Sequence, residues 1–103
     1  MSEKMEEIIN FYGIEKQCNQ AMEECAELIV AVNKCLRYPQ DTKRRDDLIE
    51  EIADVIIMIG QLSSIFDIYR EEIDLMIDMK EKRIVKRYEH EKMKKEQEQQ
   101  YGV

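Results

Sequence analysis

Little in this chain of 103 residues interrupts a helix. Three glycines and one proline are too few for the frequent turns of an all-β fold. No run of 18 apolar residues occurs, so no segment reads as a membrane span. The opening Met1-Ser2-Glu3-Lys4-Met5-Glu6-Glu7 is acidic, lacks an apolar stretch and does not read as a secretory signal. Positive charge is also in deficit. Sixteen Lys and Arg stand against 23 Asp and Glu, a formal net charge of −7. That balance argues against nucleic acid as a partner and for one that carries positive charge, a metal ion included. The single histidine, His90, lies in a charged tail, which argues against catalytic zinc and against the Glu-x-x-His ligand sets of di-iron bundles. There is no Gly-rich phosphate loop, EF-hand loop or Ser/Cys–His nucleophile pattern. The length permits one domain, residues 1–103.

Cys18, Cys25 and Cys35 all fall in one expected helix. Seven helical residues span ~10.5 Å at ~1.5 Å each, so Cys18 and Cys25 are too far apart for a disulfide. The three read as small buried hydrophobes in a reducing cytoplasm.

Four helices are expected, an all-α bundle. The first covers about residues 3–12 and is ended by Gly13, taken as a left-handed residue. The second covers about 14–37. Its apolar stripe is Cys18, Met22, Cys25, Ile29, Val32 and Leu36. Pro39 closes it, because the residue before a proline resists the α conformation. Asp41, Thr42 or Asp46 caps the third helix, at about 43–66. Between Ile52 and Ile59 that helix is apolar on nearly every face except at Asp54. Such a helix requires neighbours all round, so subunits are expected to pack together. The fourth begins near Tyr69 and passes residue 90, with 89–103 a charged extension or tail.

The acids are not scattered. Residues 1–79 hold 18 acids and 8 bases, net −10, whereas residues 80–103 hold 5 acids and 8 bases, net +3. The second helix carries Glu23-Glu24-Cys25-Ala26-Glu27 and the third Glu50-Glu51-Ile52-Ala53-Asp54. Each reads acid-acid-x-x-acid. Residues three apart share a helix face, so Glu24 pairs with Glu27 and Glu51 with Asp54. Both sets sit among apolar neighbours, where ionised carboxylates without a partner are costly. Cations are the natural compensation, and an all-carboxylate set suits Mg²⁺ or Mn²⁺. On the fourth helix the stripe Tyr69, Ile73 and Met76 continues as Lys80, Arg83 and Arg87, suited to phosphate contacts. Lys34 extends the Glu27 face in the same sense. Hard cations beside Lys and Arg suggest a phosphate-containing substrate, with metal-activated water as the simplest nucleophile.

The paired motif, Glu24-x-x-Glu27 then Glu51-x-x-Asp54, resembles that of the all-α nucleoside triphosphate pyrophosphohydrolases of the MazG type. So does the local text, Glu-Glu-Cys-Ala-Glu-Leu at 23–28 and Glu-Glu-Ile-Ala-Asp-Val at 50–55. The resemblance spans roughly residues 14–88. It implies a four-helix MazG-like bundle assembled as a homodimer or homotetramer. It also implies hydrolysis of a (deoxy)nucleoside triphosphate to the monophosphate and pyrophosphate. Glu24, Glu27, Glu51 and Asp54 would hold Mg²⁺, and Glu23 or Glu50 would act on the attacking water. Lys80, Arg83 and Arg87 would neutralise phosphate, joined by Lys34 from its place on the Glu27 face, and Gln17, Gln20 and Phe11 would touch base or sugar. Ile84 stands where many relatives have asparagine. The competing expectations are phosphoribosyl-ATP pyrophosphohydrolase activity and a non-catalytic helical interaction protein.

Overall fold

The computed structural model describes residues 3–100. Four helices and no strand occur among them: α1 Glu3–Tyr12, α2 Ile14–Arg37, α3 Thr42–Ile65 and α4 Arg70–Gln100. The chain divides after Ile68 into two compact units. The first holds α1 to α3; the second is α4.

Gly13 serves both helices that it joins. Its N–H donates to the Ile9 carbonyl at 2.8 Å and its carbonyl accepts from Gln17 N at 3.1 Å. It is therefore the last donor of α1 and the N-cap of α2. Its φ of 95° is positive as expected, but ψ is 156°, extended rather than left-handed helical. The chain turns here instead of tightening.

α2 ends before Pro39, and Asp41 is the capping residue chosen for α3. Its Oδ1 accepts from Lys43 N at 3.0 Å, satisfying one of the free amides of the first turn. α3 has no glycine at its end. Asp67 takes φ 54°, while Ile68 N bonds to Ser63 O at 2.8 Å and Asp67 N to Ser64 O at 3.4 Å. This is a Schellman closure built on aspartate.

α2 and α3 form the principal packing pair, and α1 lies against both. Side-chain contacts run in opposite order along the two helices. Cys35 Sγ donates to the Arg44 carbonyl at 3.2 Å, and Gln17 Nε2 donates to Gln61 Oε1 at 2.8 Å. The two helices are thus an antiparallel hairpin. The inward face of α2 is Gln17, Ala21, Glu24, Leu28, Ala31 and Cys35, with Gln17, Ala21 and Ala31 buried.

That face corrects the expected stripe. Met22, Ile29, Val32 and Leu36 are exposed, and so is Cys25. Two small alanines on the other face admit α3 closely, since interaxial distance follows the side chains at the contact. On α3, Ile49, Ile52, Ile56 and Ile59 are exposed as well. The cysteines are free; Cys18 and Cys35 are half-buried, and Cys25 departs from the buried position expected of it.

α4 continues as helix through Gln100, so the described part of the charged extension is helical. No residue of α4 is buried. No single helix among the described residues is long and apolar enough to cross a membrane.

Candidate metal centre

The middle of the α2–α3 hairpin is acidic. Glu24 from α2 and Glu51 and Asp54 from α3 each offer a carboxylate oxygen, and the three oxygens lie within 4.8 Å of one another. All three residues are half-buried. Their convergence follows from the register. With Gln17 opposite Gln61 and Cys35 opposite Arg44, the first acid motif meets the second near the centre.

Among the described residues of the first unit, no Lys or Arg forms an ion pair with this cluster. The ion pairs of the described first unit are Lys4–Glu7, Lys43–Asp47 and Arg44–Asp41. None involves Glu24, Glu27, Glu51 or Asp54. One neutral donor reaches in: Gln20 Nε2 bonds to Glu24 Oε1 at 2.8 Å, an i to i+4 contact on the face of α2. Glu51 Oε2 is closed off from solvent and has no hydrogen-bond partner. A carboxylate oxygen so placed requires a partner. Burial pushes the Glu51 carboxyl above the ordinary carboxylate range. Side-chain hydrogen bonding to Glu24 and the charges of Glu24, Asp54 and Glu27 raise it further.

Clustered carboxylates and an orphaned oxygen, with no Lys or Arg of the described first unit paired to them, fit a hard cation. Glu24, Glu51 and Asp54 would hold it.

The remaining expected residues are distributed as follows. Glu27 is exposed and stands outside the three-oxygen cluster, near enough for Glu51 to feel its charge. Glu23 and Glu50, next in sequence to the clustered acids, are exposed. Lys34 is exposed in the last turn of α2. Phe11 is 81% exposed, edge-on to the Tyr12 ring at 4.9 Å. Gln17 is buried between helices with its amide committed to Gln61, so it is not a surface amide. Lys80, Arg83 and Arg87 belong to α4, are exposed and have no ion pair with a described residue.

Gln61 was not anticipated. It accepts from Gln17 and donates to Met5 Sδ at 3.8 Å, linking all three helices of the unit. A lone amide in the most apolar helix is the signal that marks it.

The MazG nucleotide pyrophosphohydrolase domain model matches residues 13–95, which takes in α2, α3 and most of α4 and leaves out α1. Comparison with curated proteins gives no match, nor does comparison with solved structures. A match over most of the chain, centred on the helices that bring the two acid motifs together, places this protein in the MazG nucleotide pyrophosphohydrolase family.

Proposed function

We propose that the protein hydrolyses a (deoxy)nucleoside triphosphate to the nucleoside monophosphate and pyrophosphate, with Mg²⁺ as cofactor and Mn²⁺ as a substitute. The observation that carries this reading is the Glu24–Glu51–Asp54 cluster, with three oxygens within 4.8 Å and no cationic side chain paired to them. Bound there, the metal supplies charge neutralisation for the triphosphate and a more acidic water.

The chain's residues divide the remaining work. Glu24, Glu51 and Asp54 hold the cation, and Glu27 adds negative charge at the margin. Glu23 and Glu50 are exposed beside the ligands and are free to orient the water and take its proton as it attacks the α-phosphorus. Lys34, and by family resemblance Lys80, Arg83 and Arg87, offset phosphate charge. A homodimer or homotetramer covers the outward isoleucines of α3 and the outward stripe of α2, faces that a single copy leaves exposed. That same apolar surface favours the alternative of a non-catalytic interaction protein.

A pyrophosphate-release screen over canonical and modified (d)NTPs with Mg²⁺ tests the proposal. Phosphoribosyl-ATP is included, to separate the related histidine-biosynthetic activity. Turnover of at least one nucleotide, lost in Asp54→Asn, is expected. Absence of turnover together with absence of any metal-induced rise in Tm supports the interaction protein instead.

A further inference from the structure

We infer that Gln20 is the positioning residue of the metal centre, presetting the Glu24 carboxylate for a divalent cation; this rests on the reading that the cluster binds one. A glutamate side chain has several rotatable bonds, and ordering it costs conformational entropy. Gln20 Nε2 fixes Oε1 of Glu24 at 2.8 Å in a part-buried contact, so part of that cost is met before any ion arrives. The donor is also electrically neutral. A lysine at position 20 would hold Glu24 equally well but cancel the charge that attracts the cation. Lys16, one turn earlier, is turned elsewhere: its Nζ lies 4.6 Å from the centre of the Tyr12 ring. Gln20 is a neutral donor directed at the cluster, so it orients one ligand and leaves the site anionic. Outer partners of this kind typically change metal affinity about 10–100-fold when removed.

The test measures Mn²⁺ directly, by electron paramagnetic resonance of free Mn²⁺ against total protein, on the full chain without nucleotide. Gln20→Met keeps length and helix propensity and removes the N–H. Gln20→Lys keeps a donor and adds charge. Metal-free Tm is recorded for each, because a purely structural role would move Tm and leave the Mn²⁺ Kd unchanged. The expected result is a Kd raised about 10-fold or more in both variants, with metal-free Tm and helical content close to those of the unaltered chain. Mn²⁺ binding by Gln20→Met that equals the unaltered chain overturns the role of Gln20 and leaves the metal centre standing. No Mn²⁺ binding by the unaltered chain overturns both.

Discussion

The Gln17 amide donates to the Gln61 carbonyl oxygen at 2.8 Å across the α2–α3 contact, with both side chains buried. The pair sets the register that brings Glu24 opposite Glu51 and Asp54. Removing one partner leaves the other buried without its bond, at a cost of about 1–3 kcal/mol, whereas removing both with apolar groups of similar shape is nearly neutral. Gln61→Met alone is therefore expected to destabilise by about that amount. The Gln17→Met/Gln61→Met double variant should recover most of the loss. Chemical denaturation of the full double-mutant cycle checks this.

Glu51→Gln tests the site itself. Loss of a ligand should exceed the ~10–100-fold effect of losing an outer partner, so pyrophosphate release should fall at least about a hundredfold. The fold should survive, because the substitution removes a charge from a cluster of like charges. Circular dichroism together with the release assay separates the two effects. Full activity in this variant contradicts the assignment of Glu51.

The metal-free protein should show a specific dependence on pH. Burial first, then Glu24, Asp54 and Glu27, hold the Glu51 carboxyl above its ordinary value of 4.5. The native chain therefore binds this proton more tightly than the unfolded chain. Stability is unaffected below the unfolded value and falls as pH rises from there through the raised native value. In the presence of EDTA, the Tm difference between the unaltered chain and Glu51→Gln should widen across that interval in favour of the variant. Mg²⁺ should reduce the difference. A pH-independent gap would contradict the upward shift of the Glu51 carboxyl.

Self-association is the expected outcome of the small interior. Among the described residues, the buried apolar ones are Ile9, Ala21, Ala31 and Met58, less than an independent domain of this size ordinarily needs. Meanwhile Ile29 is 71% exposed and Ile56 62%. Light scattering should give a mass above the 12.4 kDa chain, and Tm should rise with protein concentration. Ile29→Glu and Ile56→Glu should lower the mass. A monomer at all concentrations would remove the proposed assembly.

Asp67→Gly is a prediction from backbone geometry alone. A left-handed φ of 54° at a non-glycine residue carries a cost that glycine avoids, at most ~1–2 kcal/mol and less for Asp. The substitution should raise stability modestly, read as a higher denaturation midpoint.

These residues also show what the sequence could and could not reveal. The ends marked by Gly13 and Pro39 were legible because each residue has a fixed stereochemical consequence. The end at Asp67 was not, because no glycine marks it and the closure depends on two backbone bonds. The paired acid motifs were legible through their spacing. Which acids converge was not, because that depends on register between helices; Glu27 shares a helix face with Glu24 yet lies outside the cluster. The choice of inward face on α2 failed for a related reason. Periodicity identifies the apolar line Cys18–Leu36 but does not say which neighbour takes it. The hairpin is built instead on Ala21, Ala31 and paired polar groups.

Gly13 makes the direction of α1 a matter of chirality. A β-carbon built there meets no atom within 4 Å, so space is not the obstacle to another residue. The obstacle is handedness: φ of 95° with ψ of 156° belongs to a region that L-residues rarely enter. Any L-substitution must bend the joint between α1 and α2, and with it the seating of Ile9 and Met5 on the hairpin. The mirror-image residue has no such restriction on the sign of φ. A semisynthetic chain with D-alanine at position 13 should keep the bend while narrowing the freedom of the unfolded state. L-alanine at the same atom count should lose stability.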